Sequence, residues 1–214
     1  MNRTIAGWMA SALFAVSLPG LAAPPDTRGK GSGYTRLSYT YGEVRLVIQE
    51  PDRGDSFDGV RLGGALQFHP QMFANASLTT VSDGGADLDT LDLGLGFRHA
   101  LRSDVDLVGI VGLVWADFDA GPFGDDDTGI SLTGGVRTVT TPKLELGGYV
   151  NYTELFGDGD ISLIGEGLLH LTPNVSLVGS LGLSDDFNVL TFGARWNFVA
   201  SRRTAPQRTL QKKP

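Results

Sequence analysis

Histidine is the scarcest chemical resource in this chain: there are 3, and no cysteine at all. General acid–base chemistry at neutral pH falls to histidine first, and thiolate nucleophiles or thiolate metal sites need cysteine. His69, His99 and His170 each close an alternating segment beside a turn, as in His69-Pro70-Gln71. That places all three at the same end of whatever the segments build. No nucleophile with a base beside it follows from this spacing. The expectation is therefore no catalytic residue, no cofactor and no enzyme.

Carboxylates are abundant instead. Asp117, Asp119, Asp125, Asp126 and Asp127 fall within eleven positions, with Asp158, Asp160, Asp185 and Asp186 in later connections. Oxygen clusters of this kind suit Ca²⁺ or Mg²⁺. The calcium-loop spacing is missing, so the expectation is a solvated acidic loop that could hold a cation. Arg53-Gly54-Asp55-Ser56 contains a tripeptide used in cell adhesion, but the same residues are turn formers.

A third set of charges is more informative, because each member interrupts an alternating pattern. Arg61, Asp92, Arg98, Arg137, Glu145, Glu166, His170 and Arg195 lie on the polar parity of segments whose other parity is apolar. The segment Leu190 to Phe198 shows the rule: Leu190, Phe192, Ala194, Trp196 and Phe198 against Thr191, Gly193, Arg195 and Asn197. Period-two alternation makes a strand with one oily and one polar face.

Similar segments recur along the chain, at about Val60–Phe68, Ala74–Thr79, Leu91–Arg98, Ile130–Arg137, Leu144–Thr153, Ile161–Leu171 and Val175–Ser184. Val105–Trp115 is apolar on both parities, so its facing is open. The first segment, about Tyr34–Ile48, switches parity at Gly42-Glu43, where the glycine could carry a β-bulge, so its facing is open. The count comes to about ten strands, with eight or twelve as alternatives. Gly/Asp-rich connections alternate with tight turns, and no helix-period stretch appears after the N-terminus.

Composition agrees with strands that are only half apolar: 41% hydrophobic residues, with 30 Gly in 214. The formal charge of -7 argues against a nucleic-acid partner. Arg3, the short apolar run Ile5–Leu18 and Gly20-Leu21-Ala22 read as a secretory signal peptide over 1–23. A Pro/Gly linker follows at 24–33. The strands occupy 34–198, and a basic tail, expected to be disordered, fills 199–214.

These features resemble the small Gram-negative outer-membrane β-barrel proteins. Thr191, Gly193, Trp196 and Phe198 are similar to their barrel-closing signal. The stretches Asp58–Phe73, Leu93-Gly94-Leu95-Gly96-Phe97 and Leu101–Leu107 resemble the short, uncharacterised barrels that include the Ax-type proteins. The resemblance implies an all-β, antiparallel up-and-down transmembrane barrel in the outer membrane. Outer-membrane lipid, lipopolysaccharide and the barrel assembly machinery are its partners, and the barrel is a monomer. The polar set then points into the lumen, as a plug or as a narrow porin-like channel whose arginines attract anions. The acidic loops face outward, with an adhesin as a further reading. The chain departs from the usual pattern in running on past Phe198.

Overall fold

The computed structural model describes residues 37–51, 55–155, 157–185 and 187–198. The signal peptide, the linker, the tail and the Arg53-Gly54 part of the adhesion-like tripeptide lie outside the described residues. Ten strands follow one another without a helix: β1 (Tyr41–Pro51), β2 (Phe57–His69), β3 (Met72–Ser82), β4 (Asp87–Ala100), β5 (Val105–Ala120), β6 (Phe123–Thr141), β7 (Leu144–Leu155), β8 (Asp158–His170), β9 (Val175–Leu183) and β10 (Phe187–Asn197). Each pairs antiparallel with its sequence neighbours, and β1 pairs with β10 from Tyr41↔Asn197 to Pro51↔Phe187, so the sheet closes on itself. Both ends of the described chain lie at one mouth, here called the terminal mouth. The hairpins after odd-numbered strands ring the distal mouth.

The alternation decides which face is which. On β5, odd residues such as Leu107, Leu113 and Trp115 are exposed, while Val108, Ile110, Val114 and Ala116 are buried. The same rule runs around the barrel, so the outer wall is oily: Leu93 is 49% exposed, Leu163 58% and Trp196 57%. Water-soluble proteins do not display a continuous apolar belt of this extent. Leu107 to Trp115 covers about 26 Å along the strand and about 20 Å along the axis of a barrel tilted ~40°, close to a bilayer's apolar band. Phe68, Phe97, Trp196 and Phe198 flank the belt at the terminal mouth, where aromatic girdles sit. Among the described residues no helix is long and apolar enough to cross a membrane, and the fold crosses with strands instead. The molecule is a transmembrane β-barrel.

Three expectations change. No bulge occurs at Gly42-Glu43: β1 pairs without a slip on both sides. Leu37, Tyr39 and Tyr41 are buried on the same odd parity as Glu43 and Arg45. The apparent parity switch arises because oily side chains fill the terminal end of the lumen. The register slips lie elsewhere, at Gln67/His69 and Val139/Thr141.

The acidic loop Asp117–Asp127 is not a loop. β5 and β6 continue through it, paired Asp117↔Asp126 and Ala116↔Asp127, and turn at Gly121-Pro122. Gly121 has φ 65°, a left-handed conformation that suits glycine in a two-residue hairpin. Asp favours turns, yet a hairpin standing in water leaves alternate side chains free and keeps its backbone ladder. The two ends therefore differ in strand reach rather than connection length. The distal connection 121–122 is as short as the turns 70–71 and 142–143.

Candidate functional site

The lumen collects every charge whose parity turns it inward. Five arginines (Arg45, Arg61, Arg98, Arg137, Arg195) and five carboxylates (Glu43, Asp92, Asp106, Glu145, Glu166) are buried there among the described residues. Charges removed from water must find partners. Equal numbers of each sign let them do so.

At mid-height β1, β8 and β10 supply a four-membered network. Glu166 Oε2 accepts from Arg45 Nη2 at 2.7 Å and from Arg195 Nη2 at 3.2 Å. Glu43 Oε2 accepts from Arg195 Nε at 2.7 Å and from Arg45 Nη2 at 2.9 Å. Arg45 Nη1 donates on to Thr191 and Ser180, at 3.3 and 3.4 Å. The Arg195 guanidinium also lies 4.1 Å above the Tyr41 ring, a cation–π placement that compensates further desolvation. Beside this network, Arg61 Nη2 donates to Ser77 Oγ at 2.8 Å, and Ser77 donates to Asp92 at 3.1 Å.

Toward the terminal mouth the focus is Tyr39. It precedes β1, yet its ring lies 5.6 Å from that of Phe73 on β3. Its hydroxyl bonds Asp106 on β5, and Arg98 on β4 sits 4.8 Å over its ring. Arg98 Nε also pairs with Asp106 at 3.2 Å. Arg137 pairs with Glu145 through two nitrogens, donates to the Ser38 carbonyl at 3.2 Å, and lies 5.6 Å from the Tyr39 ring. The residues before β1 thus cross the mouth to the far wall. Close packing there leaves no room for a side chain at Gly96, whose Cβ would overlap the Phe73 ring.

The distal half of the lumen holds an oily cluster, with neutral polar side chains such as Gln49, Thr90 and Thr153 buried among it. Val47, Val81, Leu88, Val114, Leu155, Phe187 and Val189 form one buried cluster, with Phe57 and Phe118 packed against it. The interior is therefore layered: aromatic and ionic at the terminal mouth, ionic in the middle, apolar toward the distal mouth. Small barrels fill in this way, whereas much larger ones leave a channel.

Of the residues singled out from sequence, Arg61, Asp92, Arg98, Arg137, Glu145, Glu166 and Arg195 all point into this interior. Glu145, Arg137 and His170 come together, as do Glu166 and Arg195. Arg61 and Asp92 meet only through Ser77. Parity alone could not supply Glu43, Arg45 and Asp106. The first two were masked by the misread switch in β1, and Asp106 by a strand apolar on both sides. The five aspartates of the β5–β6 hairpin are split between its faces. Among the described residues no group of three or more acidic, histidine or cysteine side chains is placed to hold a metal ion. Thr191 points inward; Trp196 and Phe198 point outward beside the seam.

One arrangement was not anticipated. His170 Nδ1 lies 2.7 Å from Ser176 Oγ, and His170 Nε2 lies 2.7 Å from Glu145 Oε1. A Ser–His–carboxylate chain is the wiring of a hydrolase nucleophile. Here Ser176 is fully buried, Asn197 Nδ2 donates to the same Oγ at 3.3 Å, and Arg137 occupies the carboxylate. A nucleophile sealed on every side has no place for a substrate carbonyl, so the chain serves as lining.

The fold and the oily wall define the class, a ten-stranded transmembrane barrel with a packed interior. No family model and no curated protein matches the chain. Solved structures similar to it include the KdgM porin (10% identity, 73% of this chain and 99% of that one, TM-score 0.45). The NanC porin matches at 10% identity over 73% of this chain and 100% of that one, TM-score 0.45. Ail, the attachment invasion locus protein of Yersinia pestis, matches at 13% identity over 74% of this chain and 95% of that one, TM-score 0.38.

Proposed function

We propose that the chain is an integral barrel of a Gram-negative outer membrane whose lumen is closed, and that it acts through its surface. The terminal mouth faces the periplasm, and the acidic hairpins face outside, at and above the lipopolysaccharide head groups. Lipid and lipopolysaccharide are its surroundings, the barrel assembly machinery inserts it, and it works as a monomer. The observation that carries this reading is the interior. Among the described residues, four of the five buried arginines are ion-paired to buried carboxylates within the layer, and a largely apolar cluster lies between it and the outside. A hydrated ion would have to shed its water to cross the second and break the pairs of the first.

Conductance tests it. The full-length protein reconstituted in a planar bilayer is expected to give no discrete current steps. Regular steps with anion preference would overturn the closed lumen and favour the narrow channel.

A further inference from the structure

The barrel is closed at bilayer height but not above it. β6 runs from Phe123 to Thr141, whereas β7 ends at Leu155, and their pairing stops at Ile130↔Glu154. Beyond that point β6 continues on its β5 side alone, out to Ala120↔Phe123. Phe123 to Asp126, and Thr128, are thus strand residues with no strand beside them on the β7 side among the described residues. Gly129 is not part of this opening, because the Glu154 carbonyl approaches it closely. Four residues give about 13 Å of edge, and Phe123 at its tip is 75% exposed.

A strand edge presents a row of main-chain donors and acceptors, and extended peptides bind such rows by adding a strand. Charge selects the guest. Asp125 faces the mouth and Asp126 the outside, and Glu154 and Asp158 stand on the shorter β7–β8 hairpin alongside. Among the described residues, no lysine or arginine is exposed at this end: Arg102 and Lys143 lie in turns of the opposite mouth. The same aspartates repel a second copy of this edge, which disfavours pairing between barrels.

We infer that the distal edge of β6, from Phe123 to Asp126, is a docking site for a basic, extended polypeptide segment that adds to the sheet as a further strand. This rests on the reading that the hairpins face outward and act through their surface, and it names the kind of partner they take.

The test uses full-length protein in lipid nanodiscs. The probe is an amide-capped eight-residue peptide of alternating Lys and Thr, with affinity read by calorimetry at low and moderate salt. Two derivatives carry backbone N-methyl groups, one on every Lys and one on every Thr. An added strand bonds β6 through one alternating set of amides only, so one derivative is expected to lose at least tenfold in affinity while the other stays within about twofold. Asp125→Asn with Asp126→Asn is expected to weaken the parent peptide about threefold to tenfold at low salt, with the barrel folded normally by gel mobility. Equal loss in both methylated peptides, or equal binding of a Glu/Thr peptide, would overturn the docking site. If the barrel conducts, the closed lumen falls whether or not the peptide binds. If it is silent and does not distinguish the two derivatives, only this inference falls.

Discussion

The same ten strands run through both halves of the lumen, yet the halves are held by opposite means. Toward the terminal mouth, arginines and carboxylates pair mostly between neighbouring strands, Glu166 reaches from β8 to β1 and β10, and Tyr39 crosses the mouth to join Asp106. Toward the distal mouth, Val81, Leu88, Phe187 and their neighbours pack as an ordinary core. The ionic half is specific: each guanidinium has a particular oxygen, and removing one partner strands another. The apolar half is general: volume matters, and a lost methyl leaves only a gap. On the closed-lumen reading the oily half is the barrier to ions, and the ionic half ties particular strands together.

The largest effect should come from breaking the ionic half at its most shared atom. Glu166 Oε2 serves both Arg45 and Arg195. Glu166→Leu leaves two buried guanidinium groups short of a carboxylate, and a cost of about 3 to 5 kcal/mol is expected. Urea midpoints of the folded gel band, in lipid vesicles, measure it. Replacing Glu43, Arg45, Glu166 and Arg195 together by Leu and Met should cost much less than the single change, because no charge is then left alone. A quadruple variant as unstable as Glu166→Leu would show that the network holds the fold through more than its own pairing.

The apolar half should respond less. Leu88→Ala removes a side chain that is 3% exposed, and about 2 to 3 kcal/mol is expected from lost burial and the gap left behind. The variant should still give no current steps, since the ionic layer beneath is intact. Steps appearing in Leu88→Ala alone would mean that the oily layer is the sole barrier.

How far sequence leads differs between the halves in the same way. Alternation on β2, β4, β6 and β8 puts Arg61, Asp92, Arg137 and Glu166 on the parity that faces in, because a charge is costly against acyl chains. The strand number is legible for the same reason: every crossing must repeat the pattern. Where both parities are oily the signal fails. On β5, Val108, Ile110 and Val114 fill the lumen while Leu107, Val111 and Leu113 meet lipid, and hydrophobicity cannot tell a core from a bilayer. On β1 the inward tyrosines resemble a wall, which hid Glu43 and Arg45. Pairing is further out of reach. Nothing local links Tyr39 to Asp106, since that contact joins the segment before β1 to β5 across the bore, whereas His170, Ser176 and Glu145 meet between the neighbouring strands β8, β9 and β7 once the register is set. The aspartates of the β5–β6 hairpin suggest a loop, because turn-forming composition says where a chain can bend, not where its ladder stops.

The smallest effect tests the seam between the two regimes, at a residue that is polar at its tip and oily in its ring. Tyr39→Phe removes the hydroxyl that bonds Asp106 but keeps the ring against Phe73 and beneath Arg98. Asp106 retains Arg98, through Nε at 3.2 Å and Nη2 at 3.3 Å, so no charge is stranded. The expected loss is about 1 to 2 kcal/mol, the range for one buried hydrogen bond whose acceptor keeps other donors. Tyr39→Ala removes the ring as well, leaving a void and two exposed guanidinium faces, and should cost about 3 to 5 kcal/mol. The difference between the two midpoints measures what the ring contributes on its own. Should Phe and Ala prove equally damaging, the mouth is held by the hydroxyl and its carboxylate alone, and the terminal half is ionic throughout. A silent Tyr39→Phe beside a costly Tyr39→Ala would instead make ring packing the dominant force at the mouth.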